Sequence, residues 1–94
     1  MPRRIIDKIR NAIRSGNDDM TFHAVEEMAE DKLGIFDIET SILSGKIIKR
    51  EKRDPRGIKY IIEGKGVDES TPIGVVGRFK ETGIFLTITV YKIS

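Results

Sequence analysis

Ile42-Leu43-Ser44-Gly45-Lys46-Ile47-Ile48-Lys49-Arg50 is where the chain changes character. Before Gly45 the apolar residues recur at helical spacing, and after it they alternate as strands do. Working back from the switch, Asp37 is placed to cap a short helix carrying Ile38, Ile42 and Leu43, which Gly45 terminates. A preceding helix runs from 21 to about 32, with Thr21 as the N-cap and Gly34 as its stop. Its inner face is read as Ala24, Val25, Met28 and Ala29, with Glu26, Glu27, Glu30 and Asp31 toward water. The first helix carries Ile6, Ile9 and Ile13 at i, i+3, i+7, with Ile5 and Ala12 beside them. Ser15-Gly16-Asn17-Asp18 turns the chain after it.

Downstream of the switch, 46–52 reads as a charged edge strand, and Asp54-Pro55-Arg56-Gly57 as a turn with proline where its fixed φ helps. Ile58, Tyr60 and Ile62 alternate with Lys59, Ile61 and Glu63 in the next strand. After a loop over 64–72, a strand over 73–80 contains Gly74 and Gly77, whose missing side chains point to a bulge or a close approach. Glu81-Thr82-Gly83 turns into the last strand. There Ile84, Leu86, Ile88 and Val90 share one face, and Phe85, Thr87, Thr89 and Tyr91 the other, the latter open to solvent or a ligand. Helices followed by strands define an α+β fold: two to three N-terminal helices on one face of a four-stranded, mainly antiparallel sheet. The 94 residues allow a single domain spanning the whole chain, in which residues 1–45 are helical and residues 46–94 form the sheet.

Composition removes several chemistries. With no cysteine there is no disulfide, thiolate nucleophile or zinc–sulfur site, and a single histidine rules out a multi-histidine metal centre. No apolar run approaches the ~18–20 residues of a membrane span, and no signal-peptide core follows the basic start. A cytoplasmic protein without membrane, metal or cofactor is the expectation. The net charge of +2 hides a strong sorting. Segment 1–16 has five cations against Asp7, and 17–45 has eight carboxylates against Lys32. Segment 46–65 has eight cations against Glu51, Asp54 and Glu63. Such sorting fits a nucleic-acid face beside an acidic back, and fits equally segments of opposite sign that pair with one another.

Thr21-Phe22-His23-Ala24-Val25-Glu26-Glu27-Met28 resembles the T-x-H-A-x-E-R-M hallmark of a prokaryotic family, the domain of unknown function numbered 4258. Ile42-Leu43-Ser44-Gly45, Tyr60-Ile61-Ile62-Glu63-Gly64 and Thr89-Val90-Tyr91 are similar to later pieces of that pattern and come in the same order. Glu27 departs from it, standing where the family usually has arginine. The order of elements is similar to small ribonuclease toxins, the RelE-like group and the motility quorum-sensing regulator toxin. The resemblance implies an RNA-binding protein or a metal-independent endoribonuclease, with RNA and a cognate antitoxin-like protein as partners. A non-catalytic protein-interaction module is the alternative, because fold does not fix function.

Metal-free RNA cleavage needs a base for the 2′-hydroxyl, an acid for the leaving oxygen and cations for the charge developing on phosphorus. His23 is the one side chain with an ordinary pKa near neutrality. Glu26 and Glu27 lie three and four residues on, within reach on a helix, and Glu26 is the one that matches the family motif. His23 reads equally as a helix-start residue that hydrogen-bonds to the sheet. Arg50, Arg53, Arg56 and Lys59 are candidates to line a phosphate path across the first hairpin, or to be solvated charges protecting an edge strand. Arg78 and Tyr91 resemble the arginine and tyrosine that toxin-like sheets present to RNA; Tyr91 is a candidate proton donor or stacking ring. Gly64-Lys65-Gly66 lacks the spacing of a P-loop, and Asp18-Asp19 and Glu30-Asp31 supply no convergent set of oxygen ligands.

Overall fold

The computed structural model describes residues 4–93; Arg3, counted in the basic N-terminal block, lies outside them. The elements follow in the order α1 (Ile5–Arg14), β1 (Asp18–Met20), α2 (Phe22–Glu30), α3 (Ile35–Ser44), β2 (Lys46–Glu51), β3 (Lys59–Lys65), β4 (Pro72–Phe79) and β5 (Phe85–Lys92). The fold is α+β, with three helices and one sheet of strand order β1-β5-β4-β3-β2. This corrects the expected four-stranded sheet. A fifth strand, β1, pairs parallel to β5 through Asp18–Phe85, Asp19–Leu86 and Met20–Thr87, so the sheet is mixed. β1 is three residues long and two are aspartates, which strands disfavour. Its place comes from tertiary pairing, and burial together with the neighbouring Asp19 raises the Asp18 pKa.

Gly45 ends α3 as expected, but α2 stops earlier than expected, at Glu30, with Asp31 as its C-cap and Lys32 at positive φ. Gly34 is instead the N-cap of α3, and Asp37 lies inside that helix, three residues past the cap. Thr21 Oγ1 accepts the Ala24 N–H at 3.1 Å, which caps α2. The Asp37 carboxylate accepts the Gly34 N–H at 2.9 Å at the start of α3. Ile9, Ala12 and Ile13 of α1 and Ile38 and Ile42 of α3 meet Tyr60, Ile62, Ile73, Val75, Phe85 and Val90 of the sheet in one core. Burial of these side chains, each worth about 1.5–3 kcal/mol, is the main driving force for the fold. α3 lies almost on the backbone of β3: a Cβ at Gly64 would overlap the Ser41 carbonyl, and one at Gly45 the Glu63 carbonyl.

Two expected faces change. α2 buries Ala24 and packs Met28 against the core, but Val25 and Ala29 are exposed. The helix flanks the edge of β5 and does not lie on the sheet, so a narrower stripe is covered. In β5 the pairing shifts by one residue between Thr87 and Thr89, leaving Ile88 as a bulge opposite Val76–Gly77. The bulge reverses the phase of the strand, since the side-chain period is 2. Phe85, Thr87 and Val90 are therefore buried, while Leu86, Thr89 and Tyr91 turn to the other face. The two glycines of β4 make room for rings: Tyr91 lies over Gly74 and Phe85 over Gly77.

Candidate nucleic-acid interface

α1 and α3 cover one face of the sheet, and α2 closes the edge beyond β1. Among the described residues the opposite face carries no helix. Residues paired across antiparallel strands share a face, so the register sets out its rows. One row is Glu51, Lys59, Arg78 and Leu86; the next is Lys49, Ile61, Val76 and Thr89; the third is Lys46, Glu63, Gly74 and Tyr91. An aromatic ring, aliphatic side chains and four cations, with Glu51 and Glu63 among them, thus line one uncovered surface. Arg78 sits in it half-buried, and its Nε is buried without a hydrogen-bond partner.

The candidate residues divide between places. Arg78 is held on β4 beside Lys59 of β3, at the end of the sheet near the β2–β3 turn. In that turn Arg56 grips Asp54 with both arms of its guanidinium, at 3.1 and 3.2 Å, and Lys59 Nζ approaches the same carboxylate at 3.4 Å. The Arg56 hydrogen bonds hold the Asp54 carboxyl well below the usual range. Asp54 therefore already engages two of the cations read as a phosphate path. Arg53 is fully in solvent, 3.9 Å from Glu51. Arg50 pairs with buried Tyr60 and so lies on the helix side of the sheet, not with Lys59 and Arg78.

His23 is at the start of α2, with its side chain 67% exposed. The carboxylate beside it is that of Glu27, with Nε2 to Oε1 at 3.3 Å; Glu26, the expected partner, is exposed. Glu27 Oε1 also accepts the Val90 N–H at 3.2 Å, and Asp31 accepts the Lys92 N–H at 3.1 Å. Thr21 Oγ1 donates to the Ile88 carbonyl at 3.1 Å. Where β1 ends, side chains of the α2 region continue its pairing along the β5 edge. The departure from the family motif at Glu27 is thus an acceptor for sheet backbone, a job arginine cannot do. The signal for it was the 23/27/31 spacing, one stripe of a helix.

Tyr91 follows Val90, whose N–H Glu27 accepts, and its ring lies over Gly74 on the open face, while His23 stands one helical turn back from Glu27 on α2. Tyr91 and Arg78 stand opposite Gly74 and Leu86 respectively, four β4 residues apart. At ~3.3 Å per residue that is roughly 13 Å along the strand. Tyr91 and Arg78 therefore stand toward opposite ends of the face, with Lys46 in the Tyr91 row and Lys49 in the row between. Among the described residues no three His, Asp or Glu side chains gather as a cation cage, and no helix is long and apolar enough to cross a membrane.

The architecture defines a small α+β protein with one uncovered sheet face. Residues 20–92 match the family described as Domain of unknown function (DUF4258), and the chain belongs to it. No curated protein and no solved structure matches the chain.

Proposed function

We propose that the protein binds single-stranded RNA on the open face of its sheet, in the manner of a RelE-like toxin. The observation that supports this reading is the helix-free surface itself, with Tyr91, Ile61, Val76 and Leu86 flanked by Lys49, Lys59 and Arg78. Single strands are held by stacking on such surfaces and by cations along the backbone. Arg78 enters no ion pair among the described residues, and its half-buried guanidinium on that face is the group that would meet a phosphate or base edge.

The experiment is fluorescence anisotropy of labelled single-stranded RNA with the wild type, Arg78→Gln and Tyr91→Leu. Leucine keeps an apolar cover over Gly74 while removing the ring. Loss of a stacked base, worth about 1–3 kcal/mol, weakens binding roughly 5- to 150-fold. Unchanged affinity in both variants removes the face from consideration.

Cleavage is the narrower proposal and runs through His23. The imidazole takes the 2′-hydroxyl proton, the 2′-oxygen attacks phosphorus and the 5′-oxygen leaves with a proton, giving a 2′,3′-cyclic phosphate. Glu27 would hold the ring and Tyr91 supply the proton, with Glu26 in reserve on the solvent side. Incubation of RNA with wild type and His23→Ala in EDTA decides it: equal cleavage, or none by the wild type, removes the step and leaves binding standing.

A second reading, a protein-docking module, is favoured by one observation. Phe22 and Phe36 are 78% and 71% exposed, and Val25 and Ile35 are exposed with them, near Glu26 and Glu30. Apolar side chains beside carboxylates suit a basic amphipathic segment such as an antitoxin-like partner would offer.

A further inference from the structure

A second surface is more strongly cationic than the sheet face. Between the start of α1 and β2 lies a cleft of about 370 Å³ whose walls carry Arg4, Arg10, Lys46 and Arg50, with Ile6 and Ile47 among its apolar lining. Asp7 is the nearby carboxylate, 3.1 Å from Arg4 and 3.8 Å from Arg10. Among the described residues neither Lys46 nor Arg50 has an ion-pair partner within 4.0 Å. Arg10 is fixed by donation from Nη2 to the Gly45 carbonyl at 2.9 Å, which leaves its buried Nε without a partner. The first turn of α1, in which Asp7 is the acidic residue, borders the same cleft.

We propose that this α1–β2 cleft grips the phosphodiester backbone of a nucleic acid. The proposal rests on the RNA-binding reading and adds a second contact to it, on the helix side of the β2 edge, with Lys46 at the border of the two surfaces. Three guanidinium groups in one cleft match the forked geometry of phosphate oxygens. Beyond Arg50 the edge strand and turn carry Lys52 and Arg53, with Glu51 3.9 Å from Arg53, and this line of charge suits a linear polyanion better than one free phosphate. Half of the cleft comes from α1, which lies outside the 20–92 family match, so the grip belongs to this chain's own N-terminal helix.

The test uses the full chain, a labelled single-stranded RNA and a series of salt concentrations. Arg4→Gln/Arg50→Gln changes two exposed side chains of the cleft, Arg4 giving up its surface pair with Asp7, and leaves folding intact; circular dichroism verifies this. Lys8→Gln/Lys32→Gln removes the same charge elsewhere. Loss of two phosphate contacts lowers the slope of log affinity against log salt by about 1.4, a loss of roughly twenty- to thirtyfold at about 0.1 M salt. The expected result is that loss in the cleft variant and a several-fold smaller one in the control. Wild-type binding that survives in the cleft variant, or falls equally in the control, overturns the cleft alone. A wild type that binds no RNA overturns the RNA-binding reading and the cleft with it. Sedimentation with phosphatidylglycerol vesicles that depends on Arg4 and Arg50, without effect of the variant on RNA, assigns the cleft to lipid and also overturns the proposal.

Discussion

Replacing Glu27 tests whether α2 holds the β5 edge as the hydrogen bonds describe. Val90 is 1% exposed, and its N–H is accepted by Glu27 Oε1 at 3.2 Å. Glu27→Ala leaves that buried donor unpaired, a cost of about 1–3 kcal/mol. The Glu27 side chain is itself 25% exposed, so water reaches part of the vacated space. The lower half of that range, about 1–2 kcal/mol, is the better figure. Unfolding entropy of ~2.1 cal/mol/K per residue converts this to a fall in Tm of about 5–10 °C. Glu27→Gln keeps an oxygen for Val90 and gives up mainly the exposed His23 pair, worth at most about 0.5 kcal/mol, so its Tm falls by about 2 °C. Glu27→Arg restores the residue usual in the family and falls at least as far as alanine, because guanidinium has no acceptor. Thermal unfolding followed by circular dichroism measures all three. An alanine variant that melts within about 2 °C of wild type, or a glutamine variant that falls as far as alanine, shows that Glu27 does not hold the strand.

Gly64→Ala drives a methyl group into the Ser41 carbonyl, backbone against backbone. The α3–β3 contact must open, costing about 3 kcal/mol and a Tm fall of ~12 °C or more, read by the same melt. Two carboxylates contribute to the acid limb of stability. The Asp68 carboxyl is held well below its usual range by the Thr71 hydroxyl, then by the Thr71 and Ser70 N–H groups, and Asp54 likewise by Arg56. A depressed folded pKa gives stability that is complete above the unfolded value of ~3.9 and lost as pH falls toward the lower folded value. Asp54→Asn/Asp68→Asn is therefore expected to flatten the dependence of urea midpoint on pH below about 4; a slope equal to wild type contradicts the assignment.

Local chemistry was legible in the sequence, and tertiary pairing was not. The Thr21 cap, the Gly45 switch and the two β4 glycines each act through neighbours or through a missing side chain, so their residue types declare them. The Ile88 bulge has no such mark. It comes from the pairing of β4 with β5, and it exchanges the faces of Phe85 and Leu86 that alternation alone would assign. β1 has an aspartate pair in place of β-branched residues and exists because β5 offers an edge. The same logic moved Arg50: alternation in β2 shifts at Ile48, which faces Arg50 to α1 while Lys49 stays on the open side. The acidic second helix looked like a solvated face, yet Glu27 and Asp31 are acceptors for β5.

Whether RNA meets the uncovered sheet face can be read residue by residue, by amide-resolved NMR titration with a short single-stranded RNA. The signals of Lys59, Ile61, Val76, Arg78, Leu86 and Tyr91 are expected to shift together and saturate, with those of the α1–β2 cleft moving beside them. Shifts confined to Phe22, Val25, Glu26 and Phe36, or none at saturating RNA, contradict binding at that face.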